Sequence, residues 1–135
     1  MASLIYTEGK TALMKGEINL ETSANMYAAL VKNTYTESSS HSFASVNTHI
    51  AGTSNSAFIG LTSCAVTSGT FKAADPTFAS VASGSTVEGV LIYHDTGVVK
   101  TLIAYIMPGS SGGFPFATNG ANVVVSFDTA GIFTL

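Results

Sequence analysis

Charged side chains are scarce in this sequence of 135 residues, and they are unevenly placed. Only 10% of the residues are charged and Arg is absent, whereas an ordinary soluble domain has about 25% charged residues. No charge lies between Glu37 and Lys72, or between Lys100 and Asp128. Ser and Thr, about a quarter of the chain, are expected to cover the surface instead. Covering a hydroxyl costs less than covering a charge, so this surface favours contact with other proteins, including copies of the same chain.

Other absences exclude several classes of protein. Five scattered Lys and a net charge of -3 do not make the basic patch that binds nucleic acid. Cys64 is the only cysteine, so neither an intrachain disulfide nor a Cys-based zinc site is expected. The first residues lack the pattern of a secretory signal. The most apolar stretch, 87–107, is interrupted by Glu88, Asp95 and Lys100, so no membrane span is expected.

The sequence pattern predicts one domain over residues 1–135, mainly β, with a single short helix near 9–17 that Gly16 ends. Short runs rich in Val, Ile, Phe, Tyr and Thr, separated by turn residues, indicate an antiparallel β-sandwich of jelly-roll type. The predicted strands are 25–32, 57–66, 70–74, 77–82, 86–94, 98–107 and 121–127. Ser68-Gly69 is predicted to be a hairpin turn.

The apolar runs 90–93 and 123–125 do not alternate, which predicts strands buried on both faces. One face would pack on the second sheet and the other on a helix or a neighbouring subunit. Few Lys or Pro residues are available to block the sheet edges, so we expect a partner to cover them.

Motifs typical of active sites are weak in this sequence. Asp95-Thr96-Gly97 resembles the aspartic-protease signature, but an Asp-x-Gly sequence after an apolar strand is also an ordinary turn, and we interpret it as one. His41, His49 and His94 do not have the spacing of a metal motif. The Gly-rich loop 109–113 lacks the Lys-Ser/Thr ending of a phosphate-binding loop. We therefore predict no enzyme activity, no metal and no cofactor.

Phe114-Pro115-Phe116 follows the Gly-rich loop and is the candidate partner interface. Two exposed aromatic rings on such a tether would anchor a partner, as interface hot spots do. The alternative is that both rings fold back into the core of their own sandwich.

Three segments, 10–20, 89–97 and 123–133, resemble in order and spacing a group of small tailed-phage virion structural proteins. The shared features are an opening helix followed by Gly-Glu-Ile, an apolar strand ending in Asp-Thr-Gly, and a closing strand with an Asp-x-Ala-Gly-Ile tail. Residues 38–86 depart most from the group. The resemblance implies a virion component and transfers no catalytic residue.

Together these features predict a capsid decoration, or cement, protein. It would be made in the host cytoplasm, bind the outside of the major capsid protein lattice, and self-associate as a dimer or trimer. The alternatives are a tail or neck structural component, or a carbohydrate-binding sandwich, although Trp is absent and the Tyr residues are scattered.

Overall fold

The computed structural model describes residues 4–21, 25–51, 58–107, 113–127 and 131–134, and these form a mainly β, antiparallel, sandwich-like fold. The helices are α1 (Thr7–Met14), α2 (Phe43–Val46) and a 3-10 helix (Asn47–His49). The strands are β1 (Leu4–Ile5), β2 (Met26–Lys32), β3 (Phe58–Gly60), β4 (Ala65–Thr67), β5 (Thr70–Lys72), β6 (Thr77–Phe78), β7 (Thr86–Asp95), β8 (Lys100–Ile106), β9 (Phe116–Ala117), β10 (Val123–Val124) and β11 (Phe133–Thr134).

The main sheet has six strands, in the order β1-β8-β7-β2-β3, with β9 pairing to one end of β7. All of its pairings are antiparallel. Its central strand β7 is ten residues long and rich in β-branched and aromatic side chains, which suit a pleated, buried surface.

Both faces of the main sheet are buried. Val90 and Ile92 of β7 lie in one apolar cluster, with Phe78 from the small sheet β10-β6 and Phe71 from the small sheet β11-β5-β4. On the opposite face, Leu91 and its neighbours pack against the segment 33–51, which contains α2 and the 3-10 helix. The prediction that 90–93 belongs to a strand buried on both faces is thus confirmed, and the elements that cover it belong to the chain itself.

The prediction that 123–125 is a strand buried on both faces is wrong. Val125 is buried and Val123 partly buried, but the side chain of Val124 is 60% exposed. β10 belongs to a two-stranded sheet with only one covered face, so its side chains alternate in the ordinary way.

Helix α1 covers one edge of the main sheet. It ends in a Schellman motif, in which Gly16 (φ 74) is left-handed and the Glu17 N–H donates to the Ala12 carbonyl over 2.9 Å. The prediction that Gly16 ends the helix is confirmed. A Cβ at Gly9 would clash with the Leu102 carbonyl oxygen, so only glycine allows this approach to β8.

The same edge is held by hydrogen bonds. The Tyr6 N–H donates to the Ile103 carbonyl over 2.9 Å, and the Leu102 N–H donates to the Glu8 carboxylate over 2.7 Å. The edge expected to need a partner is therefore covered, in this part, by the chain's own N-terminal segment.

The predicted strand 57–66 is two strands in the structure. β3 pairs with β2 in the main sheet, whereas β4 pairs with β5 in a small sheet. Between them Ser63 has a positive φ of 54°, which turns the chain from one sheet to the other. The Ser68-Gly69 turn is confirmed, with φ of 52° and 77° as a type I′ hairpin requires. The predicted strands 77–82 and 121–127 are reduced to β6 and β10, and the pattern did not indicate β1, β9, β11 or α2.

Candidate interaction surface

Two uncharged segments of the chain, 76–87 and 113–127, come together at one end of the main sheet. Here they are called the uncharged face, because neither contains Asp, Glu, Lys or Arg. β10 pairs with β6, and β9 pairs with the first residues of β7. The Thr118 N–H donates to the Ser85 carbonyl over 2.8 Å, and the Gly120 N–H donates to the Val81 carbonyl over 2.8 Å. Segments that are distant in the sequence thereby form one surface.

The exposed residues of this face are small, polar or apolar, without charge. They are Thr77, Ala79, Ser80, Ala82, Ser83, Gly84, Gly113, Pro115, Ala117, Asn119, Gly120, Ala121, Asn122, Val124 and Ser126. When a protein partner covers such residues, they lose few hydrogen bonds to water that the contact cannot replace. The core of a protein interface is likewise depleted in charge.

A groove of about 350 Å³ crosses the face between the 113–119 segment and β10. Phe114 and Phe116 line one side, and Val123 and Val124 line the other. Asn119 and Asn122 supply polar groups to the same groove. The arrangement combines an apolar floor with hydrogen-bonding groups, which suits an extended peptide better than an ion.

The structure places the candidate interface Phe114-Pro115-Phe116 in this groove, with its rings turned inward. Phe114 is only 6% exposed, and its ring stands 5.1 Å from that of Phe116 in an edge-to-face contact. Both rings pack on the apolar cluster of the main sheet, and only Pro115 is exposed. The interpretation that the rings project as free anchors is corrected, because pairing of Phe116 with Val87 holds the segment against the sheet. Contact of this segment with a partner stays a prediction.

The turn between β7 and β8, called the hairpin tip, carries a second exposed patch. Val98 is 92% and Val99 59% exposed, although the sequence pattern assigned both to a strand. Asp95 is engaged within the turn: its carboxylate accepts the Gly97 N–H over 2.7 Å and lies 3.6 Å from the Lys100 ammonium. Asp95-Thr96-Gly97 is thus a hydrogen-bonded turn.

His41 and His49 flank the same Tyr35 ring, each with its ring centroid 5.6 Å from that of the tyrosine. The His41 Nδ1 is 2.9 Å from the Tyr35 hydroxyl, and the His49 Nδ1 is 2.8 Å from the Thr34 hydroxyl. His94 is buried, which lowers its pKa, while the nearby Asp95 carboxylate acts in the opposite direction. Within the described residues, no three His, Cys, Asp or Glu side chains are grouped as a metal site requires.

Tyrosine hydroxyls form a hydrogen-bonded chain from Tyr6 through Tyr35 to His41. The Tyr6 and Tyr35 hydroxyls are 2.9 Å apart, and burial raises the pKa of both. Burial also raises the pKa of Tyr105, whose hydroxyl has no hydrogen-bond partner among the described residues. Tyr35 thus joins the 33–51 segment to the main sheet by an edge-to-face contact with the Tyr105 ring, 5.3 Å between centroids, and to Tyr6 by a hydrogen bond.

No protein-family model, no curated protein and no solved structure matches this chain. Among the described helices, none has the length and apolar character needed to cross a membrane.

Proposed function

We propose that this chain is a structural, non-enzymatic virion protein of a tailed phage, and specifically a capsid decoration protein. It would bind the outer surface of the major capsid protein lattice and stabilise the shell. The observation that carries the proposal is the uncharged face, which two separate parts of the chain build at one end of the fold. The resemblance of segments 10–20, 89–97 and 123–133 to phage virion proteins supports it.

The position of the two exposed patches supports a bridging role. β7 begins at the uncharged face, where Val87 pairs with Phe116, and ends at the hairpin tip with Asp95. A ten-residue strand rises about 3.3 Å per residue, so the two patches lie roughly 30 Å apart. A protein with contact patches at both ends of a rigid strand is suited to hold two neighbouring lattice subunits together.

The chemistry of both patches suits a long-lived contact. Neither the uncharged face nor the Val98-Val99 pair depends on ion pairs, so binding should change little with ionic strength. A stable contact buries at least about 1,000 Å² in total, which one patch alone would supply only in part. Simultaneous engagement of both ends raises the effective concentration of the second contact.

Attachment to empty shells tests the proposal. Wild-type protein should sediment with shells, whereas Ala82→Glu on the uncharged face should reduce occupancy at least tenfold, because it buries an unpaired charge. Val98→Ser with Val99→Ser should reduce it less. Ala44→Glu, an exposed alanine on α2 outside both patches, is the matched control and should bind as wild type. Failure of the wild type to attach would contradict the proposal.

A tail or neck component remains the alternative within the virion, and it differs in copy number. Quantitative mass spectrometry of particles should find the decoration protein in proportion to the major capsid protein, and a tail component at a few copies per particle. The carbohydrate-binding alternative has less support, because Phe114 and Phe116, the aromatic residues that line the groove of the uncharged face, pack on the apolar cluster and do not form an exposed aromatic platform. Glycan-array binding by the wild type would favour it.

A further inference from the structure

Among the described residues, no strand pairs with the outer edge of β10, which lies inside the uncharged face. The Val125 N–H donates to the Pro76 carbonyl over 3.0 Å, and Val124 is directly opposite Thr77. Val124 and Thr77 therefore form a non-hydrogen-bonded pair, so the N–H and C=O of Val124 point away from β6. No described residue bonds to either group.

Two other strand edges among the described residues are blocked, those of β8 and β4. β1 and α1 cover β8, and the Glu21 carboxylate accepts the outward Val66 N–H of β4 over 3.2 Å. Edge strands are normally protected by such charges, by Pro or by bulges. Nothing of this kind is present at β10 in the described residues, and the edge opens into the groove beside Phe114 and Phe116.

We infer that β10 pairs with β10 of a second copy, antiparallel about a two-fold axis. Val124 offers one donor and one acceptor on the same edge, so two copies satisfy each other reciprocally. The pairing joins the β10-β6 sheets of the two copies into one four-stranded sheet, in the order β6-β10-β10-β6. The outer surface of that sheet carries Val124 and Thr77 from both copies.

Charge selects a second copy as the occupant. At a two-fold contact the residues nearest the axis meet their own counterparts, so a charge close to the axis would meet a like charge. Residues 76–87 and 113–127 carry no charge themselves, and the Asp75 carboxylate beside them is engaged as the acceptor of the Phe127 N–H over 2.9 Å. Identical copies can therefore approach through Val124 with no charged side chain of this face between them. The pairing segment Val123-Val124-Val125 is itself uncharged and β-branched, a composition that suits paired strands.

The inference rests on the proposed function in one respect, that the paired copies would present a doubled uncharged surface to the lattice. In free solution we expect weak association, because a two-residue strand buries far less than a standard interface of about 1,600 Å². On a shell, neighbouring copies are held at high effective concentration, which strengthens the same contact.

Light scattering over a concentration series tests the pairing. The wild-type mass should rise from 13.8 kDa towards twice that value, and Val124→Thr should behave the same way. Val124→Pro should remain monomeric, because it removes the outward N–H without breaking the bond to β6. Val124→Lys should remain monomeric because a lysine blocks edge pairing. Val66→Lys, the same change at an exposed valine of β4, should associate as wild type.

Hydrogen exchange provides a readout that needs no variant. Exchange at the Val124 amide should slow as protein concentration rises, while that at Val66 should not change. A wild type that is monomeric at every concentration, or Val124→Pro and Val124→Lys variants that associate like the wild type, would overturn the inference. Shell binding separates the two proposals: a monomer that attaches refutes the pairing alone, and a dimer that does not attach refutes the decoration role alone.

Discussion

The two faces of the main sheet are covered in different ways. On one face, side chains such as Ile92 and Ile103 meet Phe71 and Phe78 of the small sheets in an apolar cluster. On the other face, the cover includes tyrosines whose hydroxyls bond to one another and to a histidine. Apolar packing is non-directional, whereas hydrogen bonds between rings require one position of the covering segment. The apolar face should therefore supply more of the stability, and the tyrosine face more of the local order.

Removing a ring from the apolar face should have the largest effect. Phe78 is fully buried, so Phe78→Ala should lower the free energy of unfolding by about 3–5 kcal/mol, measured by urea denaturation. Val124→Ala, on the exposed side of the paired strand, should change it by less than about 0.5 kcal/mol. Equal losses at the two positions would mean that the small sheets do not seal this face.

Removing the carboxylate at the sheet edge should have an intermediate effect. Glu8→Ala leaves the Leu102 N–H without its partner and should cost about 1–3 kcal/mol in the same assay. Glu8→Gln keeps an acceptor oxygen and should cost less. Glu17→Ala, an exposed carboxylate just beyond α1, serves as the control. A loss at Glu17 as large as that at Glu8 would indicate a general charge effect.

Removing one hydroxyl from the tyrosine face should have a smaller effect on stability and a clear effect on local order. Tyr35→Phe deletes the group that bonds to Tyr6 and His41, and it should cost about 1–2 kcal/mol because the Tyr6 hydroxyl is buried. Amide exchange should accelerate within 33–51 more than in β7. Tyr27→Phe removes a hydroxyl with no bond among the described residues and should change neither quantity.

Acid should weaken the apolar face slightly through His94, which follows Ile92 by two residues and so points to that side. Burial lowers its pKa in the folded protein, so below the ordinary value of 6.5 the unfolded chain binds the proton more readily. Stability should fall as the pH drops through and below that value. The difference in thermal midpoint between wild type and His94→Gln should shrink at low pH. A difference independent of pH would exclude His94 as the cause.

Much of the fold was predictable from local pattern. β2 and β7 were predicted almost to the residue, because long runs of β-branched and aromatic residues leave few alternatives. Gly16 ends its helix, and Ser68-Gly69 turns its hairpin, because these positions have a positive φ. Two-residue strands such as β1, β9 and β11 carry too little sequence to show a period, and they exist only because a longer strand lies beside them.

The site was predictable in part. The low charge and the segment Phe114-Pro115-Phe116 both led to the prediction of a surface for partners, and both features belong to the uncharged face. Contact of that face with a partner stays a prediction. The burial of Phe114, the exposure of Val124 and the exposed hairpin tip were not predictable. Each depends on which neighbours the chain brings together.

The mainly β class, the principal strands and the lack of charge follow from composition and from patterns a few residues long, so the amino-acid sequence was enough to predict them. Tertiary contacts were needed to show that 76–87 and 113–127 form one surface, and that among the described residues no strand pairs with the outer edge of β10, while α1 closes the β8 edge. Exposure and free backbone groups are properties of contacts between distant segments, and no local pattern encodes them.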